Sequence, residues 1–436
     1  MKQIFKYRHS RDELAHIQFV RLSEILDHAY KHSQFYRSHY QSFDFHPEQF
    51  KSMADLKKIP MVRREQIKLV PSEQFVANPN GEKLALHTTS GSSGIPVKIY
   101  HTRGEKRKLL WSCLRSYFEA GMGVRETTVA LRDPIDIKPL NLIQRLGFLR
   151  YVYYNVFDPI SETYDRITKA HSEIDILKGY STDLFALISL AVADKARGRD
   201  VMPKVKCVYT DSEVLDDRVR DYLIEKLNCP LLDFYASVEC GMIAFQVESR
   251  GEYIVNEDTV IVEPWKVVPE ATQSDLILSE TLMTSLCVKT SPIIRYEIGD
   301  VIEFAALPEN LKGRERLRLR KIHGKYLDFI ILPSGAILSP HVPKQELTHL
   351  AGLKKFQVVQ ERVDYIRVNL DKDSSFTQET ETEILKRLTR AFGAEVKVEL
   401  FEVPGLGRGT RRKFKVIESK IAQEYLERST TPVRGS

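Results

Sequence analysis

The sequence predicts an α/β protein: a large N-terminal α/β domain with a parallel sheet and a β-rich subdomain, then a small mobile C-terminal α+β domain. Three observations carry that expectation. Between residues 84 and 241, short apolar runs alternate with longer segments of helical period, as strands joined by crossover helices do. After residue 251, strand-like runs crowd together with little helix between them. Near residue 328 the texture changes again, leaving roughly a hundred residues, an ordinary domain size. The expected boundaries are 1–326 for the N-terminal domain, 327–430 for the small domain and 431–436 for a tail. The final "VRGS" resembles a vector-derived scar and is set aside.

The elements follow in order. Leu14, Ile17, Val20, Leu22, Ile25, Leu26 and Ala29 recur at helical spacing and predict a helix over 12–40. Pro60 separates two short helices in "MADLKKIP" and "MVRREQIKLV". "KLALH" and "VKIYHT" predict strands on either side of a Ser/Gly loop, and 105–121 predicts a helix stopped at Gly121. "ETTVALR" reads as a buried strand, and "SETYDRITKAHSEI" and "TDLFALISLAVADKARG" as helices. A strand at 205–210, a helix at 216–228 and the strand "LLDFYA" complete the alternating region. "EYIVNEDTVIVEPW", "SDLILSE", "SPIIRYEIGDVIEF" and "RLRLRKIHGK" suggest a barrel or a second, distorted sheet. "DFIILPSGAILSP", "DYIRVNL" and "EVKVELF" supply strands to the small domain, and "ETEILKRLTRAFG" its helix.

Bulk properties narrow the function. At 436 residues the chain is too long for one ordinary core. Cys113, Cys207, Cys229, Cys240 and Cys287 are scattered with no CxxC pair, which argues against a zinc site and against a disulfide framework, so a cytoplasmic location is expected. The longest apolar run, 184–193, is far too short to cross a bilayer, and the N-terminus lacks the apolar core of a signal peptide. No membrane insertion is expected. A net charge of +6 would help attract an anionic substrate such as a nucleotide. No Lys/Arg run interleaves with aromatics, so no nucleic acid is expected as a partner.

Four stretches bear on chemistry. In "TTSGSSG" (88–94) glycines let the backbone approach a ligand, and clustered N–H groups and hydroxyls offer donors to phosphate oxygens. A Lys directly after the last Gly would mark a Walker loop, but Ile95 and Pro96 stand there. Taken alone, a flexible hairpin tip explains the run as well. In "LLDFYASVECG" (231–241) a strand delivers Tyr235, able to stack on a flat base, and Glu239, a hard oxygen ligand suited to Mg²⁺. "SPIIRYEIGD" (291–300) places Asp300 at a strand end, where its two oxygens can accept from neighbouring hydroxyls. "GLGRGTRRKFKVIES" (405–419) joins Gly-rich mobility to a cluster of cations able to close over an anionic centre. Each also has a plain structural reading: core Tyr, solvated acid, Gly-Asp turn, solvated charge run.

In this order and spacing the four stretches resemble the adenylate-forming superfamily of acyl- and aryl-CoA synthetases, above all its phenylacetate–CoA ligase-like branch with relatives in capsular polysaccharide clusters. The resemblance covers nearly the whole chain, including the helical opening "LSEILDHAYKHSQFYRSHY". It implies that Thr89, Ser90, Gly91, Ser92, Ser93 and Gly94 contact the ATP phosphates. It implies that Ser212 and Glu213 of "TDSEVL" lie near adenine, and that "YASVE" packs Tyr235 and Ala236 there, brings Ser237 towards phosphate and makes Glu239 a catalytic Mg²⁺ ligand. Asp300 of "RYEIGD" would hold the ribose hydroxyls. "IHGKYLD" is similar to the hinge, with Lys325 in place of its Arg and the pivot at Leu327 or Asp328. "RRKFKV" is similar to the catalytic Lys loop and makes Lys413 the adenylation lysine, with Lys415 as its rival. The pattern departs at Arg412, Lys325, Leu327, Ala236 and the pair Asp211–Ser212.

The resemblance implies attack of a small-molecule carboxylate on the ATP α-phosphate, with Mg²⁺ and Lys413 countering the charge that builds up. CoA would then displace AMP. The alternatives are an amine or a carrier-protein thiol as acceptor, or a non-catalytic nucleotide-binding protein of the same fold. A homodimer is compatible with the resemblance.

Overall fold

The computed structural model describes residues 9–88, 97–134, 141–213, 215, 217–267, 277–305, 311–322, 330–335, 337–338, 341–347, 350–406 and 417–421. Its first helix, α1 (Arg11–His32), starts at a reciprocal cap in which the Glu13 N–H donates to Ser10 Oγ and the Ser10 N–H donates to the Glu13 carboxylate. The helical period expected over 12–40 is interrupted once. Ser33 stands extended, and its Oγ accepts from the Tyr36 N–H to start α2 (Gln34–Ser42). A 3₁₀ turn over Met53–Lys58 and the short helices α3 (Arg64–Leu69) and α4 (Ser72–Phe75) follow.

The chain divides into two compact, discontinuous units. One comprises residues 1–91, 95–122 and 232–324; the other comprises 92–94, 123–231 and 325–436.

In the first unit β1 (Ala85–Thr88) and β2 (Lys98–His101) form an antiparallel pair that leads into α5 (Arg103–Glu119). Its main sheet uses β7 (Leu231–Ser237), β8 (Gly241–Phe245), β9 (Tyr253–Val255), β10 (Val260–Val267), β11 (Ile277–Ser285), β12 (Tyr296–Phe304) and β13 (Arg318–Ile322). Their order is β10-β11-β12-β13-β9-β8-β7, antiparallel throughout. The expected barrel or distorted sheet is therefore an open sheet carrying several register shifts. Tyr36, Tyr40, Ile59 and Val62 from the N-terminal helices bury against Ile243, Ile294, Tyr296 and Phe304 of this sheet. Each side chain of that size contributes about 1.5–3 kcal/mol when fully buried.

In the second unit β3 (Thr127–Arg132) pairs in parallel with β4 (Arg150–Asn155) and with β5 (Glu173–Gly179), and β5 pairs in parallel with β6 (Lys204–Asp211). The connections carry α6 (Leu142–Arg145), α7 (Ile160–Ala170) and α8 (Ser181–Ala196), and α9 (Asp217–Leu227) follows β6. The helix expected over 161–174 is shorter: α7 ends at Ala170, His171 is extended, and "EIDILKG" is the buried strand β5. β4, rich in Tyr, has no counterpart among the expected strands.

Residues 330–421 of that unit contain β14 (Ile330–Ile331), β15 (Ile337–Leu338), α10 (His341–Leu347), β16 (Leu353–Arg362), β17 (Tyr365–Lys372), α11 (Gln378–Phe392), β18 (Lys397–Glu402) and β19 (Ile417–Ser419). The last four strands form a sheet in the order β18-β17-β16-β19. Ile384, Leu388 and Phe392 of α11 bury against Val358, Ile366 and Val368. This is the α+β layering expected for the C-terminal part.

Candidate active site

Residues 89–96, with the whole expected phosphate-contacting run Thr89, Ser90, Gly91, Ser92, Ser93 and Gly94, lie outside the described residues. The chain on either side is firmly held. His87 pairs with Ile99 and Thr88 with Lys98, and the Tyr100 N–H donates to Ser291 Oγ at 2.9 Å. Glu105, buried one turn into α5, accepts from the backbone N–H groups of Thr102, Lys289 and Thr290 at 2.8, 2.7 and 2.9 Å. Burial alone would raise its carboxyl, but these donors outweigh it and hold it below its ordinary value. The His87 and His101 rings lie 5.2 Å apart. Burial, followed by the neighbouring His87, pushes the His101 imidazole down to about 4.

Elsewhere in the first unit, Tyr235 stands near the end of β7 and Glu239 just beyond it, while Asp300 lies within β12 rather than at the strand end expected, because the strand runs on to Phe304. Leu282 opposes Glu297 and Glu280 opposes Val301, so β12 carries extra residues there. Gly299 sits in that irregularity at φ +80°, a left-handed conformation that a residue with a Cβ resists. The Thr281 hydroxyl donates to the Asp300 carbonyl at 3.0 Å and fixes the turned-out Asp300. Tyr235 Oη donates to Asp300 Oδ2 at 2.6 Å, a short charge-assisted bond. Burial of the hydroxyl end, reinforced by the Asp300 charge, raises the phenol well above its ordinary value. Tyr235 therefore stays a donor, and one Asp300 oxygen is engaged before any ligand arrives. Ala236 is exposed, and Ser237 Oγ accepts from the Cys240 N–H at 3.0 Å, closing the turn that delivers Glu239.

Glu239 is almost fully buried, at 2% exposure, and its Oε1 has no hydrogen-bond partner among the described residues. Arg64 Nη1 stands 3.7 Å from that oxygen. A buried carboxylate oxygen without a donor is costly unless a cation or ligand meets it, so the position fits a hard cation such as Mg²⁺. Arg64 was not anticipated from the sequence. Its placement follows from the N-terminal segment joining the sheet: the Val62 N–H donates to Arg295 O at 3.0 Å, and the Glu297 N–H donates to Val62 O at 2.9 Å. Arg295 of the "RYEIGD" motif is buried and works locally. It pairs with Glu263 at 3.2 Å and donates to the carbonyls of Lys57 and Ile59 at 3.1 and 2.5 Å.

In the second unit, three parallel strands end in charge. Arg132 closes β3, Lys178 stands near the end of β5, and Asp211 closes β6. Arg132 grips Asp211 through both carboxylate oxygens at 2.6 and 2.5 Å, and Lys178 Nζ lies 3.1 Å away. Burial would raise this carboxyl, yet the two cations outweigh it and hold it well below the usual carboxylate range. Two cations thus meet one carboxylate at the carboxyl ends of parallel strands, where ligands of such sheets bind. Ser212 follows at φ +70°, with its Oγ 3.2 Å from Asp211 Oδ1. Glu213 is buried and accepts from Ser181 Oγ at 3.0 Å. The sequence carried a signal for Arg132 and Lys178 that went unused: each is a basic residue at the end of an apolar strand, in "TTVALR" and "EIDILKG". Lys325, Leu327, Asp328, Arg412, Lys413 and Lys415 lie outside the described residues.

The architecture is that of adenylate-forming CoA ligases. A solved 2-hydroxyisobutyryl-CoA ligase, in complex with 2-HIB-AMP and CoA in the thioesterification state, superposes with a TM-score of 0.63 over 96% of this chain and 92% of its own, at 18% identity. The phenylacetate–coenzyme A ligase of Escherichia coli (strain K12) is 31% identical over 387 residues, 84% of this chain and 85% of its own. Protein CapK of Staphylococcus aureus is 24% identical over 73% of this chain and 69% of its own. Residues 331–420 match the family described as the CapK C-terminal domain. The chain belongs to the phenylacetate–CoA ligase family, with CapK among its relatives.

Proposed function

We propose that the protein is an ATP-dependent, AMP-forming carboxylate ligase that passes its acyl group to CoA. The observation that carries the reading is Glu239, a buried carboxylate whose Oε1 accepts no hydrogen bond among the described residues and is met by Arg64 at 3.7 Å. The ion pair is long and leaves that carboxylate oxygen open to a hard cation, as a nucleotide–metal site uses.

The roles of the chain's own residues follow from charge. The first step joins two anions, so cations and aligned donors lower its barrier most. Mg²⁺ held by Glu239 would neutralise phosphate charge. Arg64 keeps the Glu239 charge compensated before ligands enter. Asp300, oriented by Tyr235, offers its remaining oxygen to a ribose hydroxyl. Thr89 to Gly94 are assigned to the phosphates, Ser212 and Glu213 to the base, and Lys413 on a 327–430 lid to the developing charge. Arg132 and Lys178 add positive charge at their strand ends. The family membership and the likeness to a CoA-bound ligase fold support CoA over an amine or a carrier thiol.

The test is carboxylate-dependent exchange of labelled pyrophosphate into ATP over a panel of aryl, fatty and hydroxy acids. Exchange with at least one acid is expected, with loss in Glu239→Gln and Lys413→Ala. Measurable ATP binding without exchange for any acid refutes the ligase reading in favour of a nucleotide-binding protein. Hydroxylamine, added beside CoA, separates amine from thiol acceptors.

A further inference from the structure

Of the exposed large apolar side chains of the second unit, Val201, Val363 and Phe401 stand singly, but four others cluster within a short stretch of chain. Leu142, Ile143 and Leu146 are 73%, 59% and 68% exposed, and Phe148 joins them a short distance along the chain. Exposure that high means the side chains stand clear of the surface rather than lining a groove. Water contact with so much clustered apolar area is unfavourable, and such patches mark interaction sites. The cluster is built on purpose: Asn141 caps α6, the Leu149 N–H donates to Val124 O at 2.8 Å, and Arg125 lies over the Phe148 ring at 5.8 Å.

Its flanking charges are basic, and the acids that open the neighbouring strand β5 are paired: Asp175 accepts from the Thr127 N–H at 3.0 Å, and Lys206 meets Asp175 at 2.7 Å and Glu173 at 3.5 Å. Arg125, Arg145 and Arg150 are all exposed around it. No Asp or Glu occurs from residue 141 to residue 157. The nearby Glu126 is turned inward onto the Gly123 N–H at 2.7 Å. The patch also sits where β3 and β4 begin, whereas Arg132, Lys178 and Asp211 occupy the other ends of the parallel strands. It is therefore separate from the Arg132, Lys178 and Asp211 cluster of the same unit.

We propose that this apolar–basic knuckle is a peripheral docking surface for an anionic lipid membrane. Protruding Leu and Ile side chains enter the headgroup boundary, Phe148 rests at the interface, and the three arginines meet lipid phosphates. Charge complementarity favours this occupant over a second copy, because two copies of the patch would bring six arginines together. No helix among the described residues is long and apolar enough to cross a membrane, so the contact is a surface one. The inference does not depend on the ligase chemistry.

The test is flotation of the full chain with vesicles of phosphatidylglycerol and phosphatidylcholine, compared with phosphatidylcholine alone. Partitioning onto the anionic vesicles is expected, falling as NaCl is raised. Each arginine near an anionic surface is worth roughly fivefold in partitioning, so R125Q/R145Q/R150Q should lose about a hundredfold. L142S/I143S/L146S should lose at least about tenfold. These side chains are exposed, so Tm should not move, and unchanged Tm separates lost docking from lost folding. Equal partitioning onto neutral and anionic vesicles, or native-like partitioning of both variants, overturns the proposal. A dimer in solution that dissociates in the serine variant, without vesicle binding, overturns it in favour of self-association.

Discussion

Asp211→Asn offers the sharpest quantitative test of the second unit. The substitution keeps the shape of the side chain and removes its charge. Arg132 and Lys178 are then left facing each other, with side chains only 11% and 6% exposed. Breaking a buried pair by deleting one partner costs about 3–5 kcal/mol, chiefly the penalty of an uncompensated buried charge. Two cations share this one carboxylate, so the upper half of that range applies: about 4 kcal/mol by urea unfolding at neutral pH, with the midpoint shifted and the slope unchanged. A second variant separates the causes. Asp211→Asn with Lys178→Met removes one stranded cation and should recover about 1–2 kcal/mol, a coupling expected only for groups in contact. The pH dependence fixes the sign. The Asp211 carboxyl is depressed in the fold, so its stabilisation is fully present above the ordinary value of about 3.9 and is lost as pH falls below it. The gap between native and Asp211→Asn proteins should stay flat from neutral pH to about 5 and then close. A gap below about 1 kcal/mol, or one already closing between pH 7 and 5, refutes the reasoning.

Three further outcomes are expected. Tyr235→Phe removes the 2.6 Å bond to Asp300 and should cost about 1.5–3 kcal/mol in urea unfolding while raising KM for ATP; unchanged values of both exclude Tyr235 as the residue that orients Asp300. His101 is held at about 4 against an ordinary 6.5, so folding stability should fall as pH drops through that window, by at most about 3 kcal/mol; His101→Asn should flatten the fall, and an undiminished slope assigns it to other groups. Gly299→Ala meets no atom within 4 Å, so its cost is the left-handed backbone alone, about 1–2 kcal/mol by urea unfolding, and a neutral result would deny that the turn needs a glycine.

Periodicity and turn chemistry made much of the fold legible. Leu14, Leu22, Ile25 and Leu26 marked α1, and the buried run "TTVALR" marked β3. The misreadings have local causes. "HSEIDILKG" continues a helical charge pattern past His171, yet its apolar residues are buried on β5 by pairing with β3 and β6, partners that a single window cannot see. β4 went unread because it lies at the sheet edge and its Tyr-rich sequence lacks clear alternation. The site divides in the same way. Tyr235 and Glu239 stand at or just past the end of β7, whereas Asp300, expected at a strand end, lies within β12 at its register irregularity. Arg64 meets Glu239 only through a non-local bridge between residues 62 and 296, which no spacing rule contains.

The departures at Asp211 and Ser212 make physical sense as one unit rather than as two lapses from the family pattern. A small residue and then a glycine would leave the end of β6 uncharged and free to turn left-handed. Here Asp211 carries charge into a buried position, which is tolerable only because β3 and β5 end in Arg132 and Lys178. Ser212 keeps the left-handed turn at φ +70° despite its Cβ, a strain of about 1–2 kcal/mol, and its hydroxyl lies within hydrogen-bond reach of the same Asp211 carboxylate. The four residues therefore hold one another in place: remove the acid and both cations lose the carboxylate they share, remove the cations and the acid loses the charges that keep it ionised. Altered positions in a motif often suggest decay. These altered positions are matched by partners from two other strands, and together they hold the turn before Glu213 in place.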